Sequence, residues 1–203
     1  MVKTNKRSNR RLSKNKTRRV ADDFAPNLTP KQIFELGSFG GTYWRPIYSS
    51  VVNKHLHDVH LKYPFLKSIP ENLLTSPIYD KHLNKYDVEV GTSLEFWESK
   101  GWIHEQNPYG WVHWYCDYYL GKRSPDDFRQ IQRWKNIAGK NGRFRRNLIR
   151  QIRRKHGKWN DYSISPKIRQ TLQHWGYRLT ERDFLKGNPW FPFEPLKRTQ
   201  VPF

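Results

Sequence analysis

Apolar residues recur at helical spacing along residues 142–158, "GRFRRNLIRQIRRKHGK". One face of the predicted helix carries the apolar positions, which are Phe144, Leu148, Ile149 and Ile152. The opposite face carries arginines, at Arg143, Arg146, Arg150, Arg153 and Arg154. The pattern predicts a helix over roughly residues 142–156, with one side in a core and the other a row of guanidinium groups.

Two further segments have the same two-faced pattern, and each has a Ser-Pro pair at or near its start, which is typical of the start of a helix. They are "SPDDFRQIQRWKNIAG" and "SISPKIRQTLQHWGYRLT". The inward positions are predicted to be Phe128, Ile131, Trp134, Ala138, Ile168, Leu172, Trp175 and Leu179. The outward positions are predicted to be Arg129, Arg133, Asn136, Lys140, Lys167, Gln170, His174 and Arg178.

Capping signals predict three earlier helices. Thr29 precedes Pro30 and a helix that ends near Gly37, and Thr92 with Glu95 forms a capping box. Asn107 is predicted to cap the aromatic segment "NPYGWVHWYCDYYLG". Residues 51–90 are less regular, with "DVEV" as a candidate strand. The fold class is therefore mainly α: a compact helical domain with a few short strands or extended segments.

The two ends of the chain differ from the middle. Residues 1–24 are basic and almost free of apolar residues, which predicts a disordered arm; a solubilising tail or a nuclear targeting signal is the alternative. The last twenty residues contain four prolines and are predicted to be an extended strap. Between the arm and the end we distinguish an aromatic-rich, slightly acidic part, 25–121, from a basic helical part, 122–203, together predicted as one globular unit.

Composition narrows the class of protein. The single cysteine, Cys116, excludes a disulfide framework or a cysteine zinc site within the chain. The sequence contains neither an apolar run long enough to span a membrane nor a secretory signal, so we expect an intracellular protein, in the nucleus, a nucleoid or a virion.

The net charge of +20 is unevenly distributed. Residues 1–20 hold nine Lys or Arg and no acid, and residues 21–121 hold eight against twelve Asp or Glu. Residues 122–203 hold 21 Lys or Arg against six Asp or Glu. Such segregation is typical of proteins that bind a polyanion.

Aromatic residues are the second unusual feature. The segment "YGWVHWYCDYY" has six aromatic rings in eleven residues, and at helical spacing such rings favour a core over a surface for stacking bases. Rings near turns are the better candidates for exposure: Tyr43, Trp44, Trp102 and Trp190.

Candidates for metal or catalytic chemistry are weaker. The segment "HLHDVH" offers His55, His57, Asp58 and His60, but no matching Cys or His pair follows, so surface histidines are favoured over a metal site. Carboxylates that could hold Mg²⁺ for phosphodiester chemistry are Asp80, Asp87, Glu89, Glu95, Glu98, Asp126 and Asp127. The sequence indicates no cofactor and no catalytic motif.

Several motifs resemble those of a group of short, basic, Trp-rich proteins from fungi, algae and large DNA viruses. They are "FGGTYWRPIYSS", "EFWESKGWIHEQ", "NPYGWVHWYCDYYLGKRSPDDFRQIQRWKN" and "SISPKIRQTLQHWGYRLT", and the likeness covers roughly residues 38–184. In that group a basic residue often stands where this chain has Asp117. The resemblance carries no activity with it; its link to DNA viruses favours DNA as a partner.

These observations predict a nucleic-acid-binding protein, with double-stranded DNA favoured over RNA. The phosphate contacts are assigned to the basic arm and to the Lys and Arg residues on helix faces: Arg129, Arg133, Lys140, Arg143, Arg146, Arg150, Arg153, Arg154, Lys167 and Arg178. A nucleic-acid-processing enzyme and a structural protein of a ribonucleoprotein or virion stay open as alternatives, as does the oligomeric state.

Overall fold

The computed structural model describes residues 24–187, so the predicted arm and most of the predicted strap lie outside the described residues. Within that range the chain is helix-rich, with 44% of residues in helices and one small sheet, which confirms the mainly α class in its coarse form. The α-helices are α1 Pro30–Glu35, α2 Leu94–Ser99, α3 Trp111–Tyr119, α4 Asp127–Ile137, α5 Arg143–Arg154, α6 Pro166–His174 and α7 Glu181–Lys186. Helix α7 ends at Lys186, so residues 184–186, which were predicted to begin the extended strap, are helical instead.

Helix α1 forms as its capping residues predict. The Thr29 hydroxyl accepts the Gln32 backbone N–H at 3.2 Å, and the Gln32 side chain accepts the Thr29 backbone N–H at 2.8 Å. Gly37 follows the helix with φ 59°, and a Cβ there would lie 2.0 Å from the Leu83 carbonyl oxygen. Glycine is therefore required both by the backbone conformation and by the close approach of the chain.

Helix α3 starts later than predicted. Asn107 does not cap it; Gly110 does, and the helix begins at Trp111. The reason is that Asn107 is buried and makes a turn, in which it accepts the Gly110 N–H at 2.8 Å. The helix that follows is buried on almost every side from Trp111 to Asp117, which confirms the aromatic segment as core.

The caps of two other helices also differ from the prediction. Helix α2 is capped by Ser93, whose hydroxyl accepts the Phe96 N–H at 3.3 Å, and not by Thr92. Helix α4 begins at Asp127; the Ser124 hydroxyl donates to the Asp127 carboxylate at 2.8 Å and does not cap the helix.

A hairpin and a series of short turns connect α1 to α2. Strands β1 (Ile47–Ser49) and β2 (Lys54–Leu56) pair antiparallel, with Tyr48 opposite His55. Four 3-10 turns follow, at Val59–Lys62, Pro64–Leu66, Glu71–Leu73 and Lys81–Leu83. Residues 87–90, predicted as a strand, are irregular, and the Val88 carbonyl accepts the Asn84 side-chain amide at 2.9 Å.

Two aromatic residues predicted to be exposed lie in the core. Trp44 has no exposed surface and Tyr43 is 8% exposed. The Tyr43 hydroxyl donates to the Tyr109 carbonyl at 2.7 Å and accepts the His113 backbone N–H at 2.8 Å, so this ring fixes the start of α3. Trp102 is half-buried, and Trp190 lies outside the described residues.

Helix α5 packs against α4 on one side and α6 on the other. Of the inward positions predicted for α4, Ile131, Trp134 and Ala138 are buried, but Phe128 is 41% exposed. On α6 and the residues after it, Leu172 and Leu179 are buried as predicted. The loop between α3 and α4 contains the boundary, after residue 121, at which the charge of the chain changes sign.

Candidate nucleic-acid interface

The apolar face of α5 lies in the core, as its sequence predicts. Leu148, Ile149 and Ile152 are at most 1% exposed, and Phe144 is half-buried against them. This burial fixes the rotation of the helix, because a turn of the axis would move three large aliphatic side chains into water. The arginine face is therefore directed away from the core.

The outermost arginines of α5 contact no carboxylate. Arg143 is exposed, with its guanidinium 5.2 Å from the centre of the Phe144 ring. Arg150 is half-buried and donates to the Asn147 side-chain oxygen at 3.0 Å, which is a neutral partner. Arg154 is exposed, and among residues 24–187 no ion pair or hydrogen bond involves its side chain. We call Arg143, Arg150 and Arg154 the outer row.

Two other predicted site residues of α5 lie at the flank of the outer row. Arg146 is half-buried, and its Nε is enclosed without a hydrogen-bond partner in the part of the chain that the structure describes. Arg153 donates to the backbone carbonyls of Phe184 at 3.0 Å and Gly187 at 2.9 Å. It thus satisfies carbonyl groups at the end of α7, which is a structural role.

Arg145 was not among the predicted site residues, and it forms an ion pair that links α5 to α7. Its guanidinium donates to the Asp183 carboxylate at 2.8 Å and lies 4.8 Å from the centre of the Tyr177 ring. Only 12% of the side chain is exposed. The helical position of Arg145, four residues before Ile149 and three before Leu148, places it on the inward face and was available from the spacing.

Helix α4 contributes less to the surface than predicted. Arg129 pairs with Asp126, and the two groups form a two-pronged contact with distances of 2.5 and 2.8 Å. Arg133 is directed inward: it donates to the Gln130 side chain at 3.1 Å and lies 5.4 Å from the Trp175 ring. Burial lowers the pKa of Arg133 to about 10, which leaves it charged near neutral pH. Lys140, after the helix, is exposed as predicted.

Two outward positions predicted on α6 are inward instead. The Gln170 side chain is fully buried and donates to the Ser38 carbonyl, and His174 contacts the same carbonyl. Both are needed because the backbone around Ser38 is buried and its polar groups require partners. Lys167 is exposed, whereas Arg178 is half-buried beside Asn27, which accepts the Arg178 backbone N–H at 2.8 Å.

Three of the five carboxylates in residues 122–187 are engaged by other partners. Residues 122–187 hold 19 Lys or Arg and only five acids. Asp126 is paired with Arg129, Asp183 with Arg145, and Asp127 accepts the Trp114 indole N–H at 2.8 Å. Internal pairing therefore cannot neutralise the outer row of α5.

The candidate metal and catalytic residues do not converge. No group of three or more His, Cys, Asp or Glu side chains in residues 24–187 is arranged to hold a metal ion. His57 bonds its neighbour Asp58 at 2.8 Å, and His60 is buried 3.6 Å from Glu71. The Glu98 carboxylate accepts the hydroxyls of Ser49 and Ser50 at 2.6 Å.

Comparison with protein-family models, curated proteins and solved structures finds no match for this chain. Across the described helices, none is both long and apolar enough to cross a bilayer.

Proposed function

We propose that this protein binds nucleic acid, with double-stranded DNA preferred, through phosphate contacts made by the outer row of α5. The observation that carries the proposal is the absence of acidic partners for Arg143, Arg150 and Arg154 within residues 24–187, on a helix where Arg145 pairs with a carboxylate and Arg153 bonds backbone carbonyls. A guanidinium group is charged at every relevant pH and matches the geometry of a phosphate.

A purely structural role explains the inner arginines but not the outer row. Like charges three or four residues apart on a helix repel by a few tenths of a kcal/mol per pair. Arg150 and Arg154 are such a pair, and neither contacts a carboxylate. Arg145 forms a stabilising ion pair with Asp183, but the outer row has no such ion pair. Its repulsion therefore favours a partner outside the chain.

The dimensions of the row suit a phosphate backbone. Arg143 and Arg154 are eleven residues apart, which at the rise of an α-helix is about 16 Å. Successive phosphates of one strand are about 3.4 Å apart along the duplex axis, so the row spans roughly five of them. Exposed Lys140 before the helix and exposed Lys158 after it lengthen the basic surface at both ends.

Preference for double-stranded DNA is supported by the resemblance to proteins of large DNA viruses. The sequence contains none of the common zinc-finger, homeodomain or RNA-recognition signatures, so we expect binding to depend on charge and to be insensitive to base sequence.

The test is a titration of the full chain against labelled DNA duplexes at several salt concentrations. We expect log K to fall linearly with log salt, with a slope of about 0.9 per neutralised phosphate, and to be the same for two unrelated sequences. An RNA duplex and heparin serve as competitors. Equal competition by heparin would reduce the proposal to general polyanion binding, and an affinity independent of salt would contradict it.

A further inference from the structure

A lysine and a histidine meet at the edge of the aromatic core, away from α5. Lys62, at the end of the 3-10 turn Val59–Lys62, places its Nζ 3.0 Å from Nε2 of His113 on α3. His113 is 3% exposed and is surrounded by the rings of Trp44, Tyr63 and Tyr109, at 5.2 to 6.3 Å. Lys62 is an exposed residue, but its amine is partly buried where it contacts the imidazole.

The contacts of His113 define where its proton lies. Its Nδ1 faces the Tyr109 backbone N–H at 3.4 Å, a contact in which the ring nitrogen must accept. A neutral imidazole then carries its hydrogen on Nε2, which faces Lys62. An ammonium group cannot accept that hydrogen, whereas a neutral amine can. Both contacts are satisfied together in the form in which Lys62 is a neutral amine, and they therefore favour that form over the ammonium.

Asp117 is the nearby charge that favours the ammonium form of Lys62, but other groups already occupy its carboxylate. Asp117 is the acid in this cluster, and its carboxylate already accepts the Tyr63 hydroxyl at 2.9 Å, the Asn107 amide at 3.1 Å and the Lys122 ammonium at 2.8 Å. In the described range no carboxylate lies within ion-pair distance of Lys62.

The ionisation of the pair is shifted in the matching direction. Burial, opposed by Asp117 and reinforced by Lys122, lowers the pKa of Lys62. Burial and the charge of Lys62 lower the pKa of His113 to about 3, so the ring stays neutral near pH 7. Cys116, Tyr63 and Tyr109 are buried beside this pair, and burial raises the pKa of each, which keeps them uncharged.

We propose that Lys62 is a nucleophilic amine that condenses with aldehydes, in a site formed by Lys62, His113 and the ring of Tyr63, whose centre lies 5.1 Å from Nζ. A neutral amine is the reactive form of lysine toward carbonyl groups. The Nζ lone pair forms a bond to the carbonyl carbon, and the carbonyl electrons and an amine proton become a hydroxyl. That hydroxyl leaves as water with the second amine proton, which gives an imine. No oxidant, reductant or metal is required.

Two sources of aldehyde share this chemistry. One is a small carbonyl compound; the other is the ring-opened sugar of an abasic site in DNA. The second source rests on the proposed function, because the DNA must be bound for its aldehyde to reach Lys62. Reactivity of Lys62 toward a small aldehyde does not rest on it, and the two claims can fail separately.

The experiment treats the full chain with pyridoxal 5′-phosphate and sodium borohydride near neutral pH, which reduces any imine to a stable adduct. Mass-spectrometric mapping at early times compares Lys62 with Lys67 and Lys122. Lys67 is exposed, and Lys122 belongs to the same cluster but pairs with Asp117. We expect Lys62 to be labelled first and the early adduct to be lost in Lys62→Arg.

His113→Leu removes the hydrogen-bond donor, and in this variant, with folding checked by circular dichroism, we expect labelling of Lys62 to slow toward that of Lys67. Labelling of Lys62 no faster than of Lys67 in the unmodified protein would overturn the proposal.

A parallel reaction offers a duplex with one abasic site and, as control, the intact duplex. A borohydride-dependent cross-link to the abasic duplex that Lys62→Arg abolishes assigns the aldehyde to nucleic acid. Rapid labelling by pyridoxal 5′-phosphate without a cross-link assigns it to a small carbonyl compound. If neither duplex binds and Lys62 is still labelled first, the proposed function fails and the nucleophile stands.

Discussion

Nη2 of Arg145 on α5 lies 2.8 Å from Oδ1 of Asp183 on α7, and this ion pair joins two residues 38 positions apart in the chain. The Tyr177 hydroxyl donates to the other oxygen of Asp183, also at 2.8 Å. Both charged side chains are less than one fifth exposed. Arg145 therefore stabilises the packing of α5 against α7, whereas the outer row lies on the side of α5 away from the core.

Removal of one partner of this pair should destabilise the protein. Arg145→Ala leaves Asp183 partly buried without its cation, and breaking such a pair costs about 3–5 kcal/mol when it is fully buried, so we expect about 2–3 kcal/mol here. Chemical denaturation measures the loss. Arg154→Ala, an exposed arginine of the same helix, is the matched control and should change the unfolding free energy by no more than about 0.5 kcal/mol. Equal effects of the two changes would contradict the assignment of inner and outer arginines.

The apolar face of α5 should be sensitive to truncation. Leu148→Ala and Ile152→Ala each remove a fully buried side chain, and large-to-small changes of this kind cost about 2–5 kcal/mol. Thermal and chemical unfolding report the effect. DNA affinity measured well below the melting temperature should be preserved, and silent apolar changes would mean that the helix is rotated differently.

Acid should destabilise the fold through His174. Burial lowers the pKa of His174 from 6.5 to about 4, so in the unfolded chain this group takes up its proton at a higher pH than in the folded protein. Stability from this group is constant above pH 6.5 and falls as the pH drops from 6.5 to 4, by at most about 3 kcal/mol. Denaturation at a series of pH values compares the wild type with His174→Gln. The difference in stability between the two proteins should change with pH only within that window. Curves that stay parallel through the window would exclude His174 as the cause.

The helical periodicity of the chain predicted the location of α4, α5 and α6 because each has an apolar stripe that a core must cover. The predicted orientation was wrong where the core requires a polar side chain to bond a buried backbone group. Gln170 and His174 have outward positions by hydrophobicity alone, but their side chains bond the buried backbone at Ser38, 132 and 136 residues away. Such long-range hydrogen bonding leaves no local signal in the sequence.

The candidate site shows the same limit. Of the five arginines predicted on the outer face of α5, Arg143 and Arg154 are exposed, whereas Arg146, Arg150 and Arg153 are half-buried. Arg133 and Arg153 were assigned to the same basic surface, because both are basic and lie outside the apolar stripes of their helices. Their partners, the Trp175 ring and the end of α7, come from other helices, and only the packing of those helices reveals that the two side chains are engaged.

Charge reversal in the outer row tests the central claim most directly. In Arg150→Glu with Arg154→Glu, two cations become anions on the exposed side of α5, and the control Lys54→Glu with Lys67→Glu makes the same change of net charge at exposed lysines of the other part of the chain. The affinity of each protein for a DNA duplex is measured as a function of salt, together with its melting temperature. We predict that the α5 variant loses most of its affinity and that its slope of log K against log salt falls by about 2, at an unchanged melting temperature. We predict that the control retains nearly the wild-type affinity and slope. Equal loss in both variants, or an α5 variant that binds like the wild type, would contradict the claim that the outer row of α5 is the nucleic-acid interface.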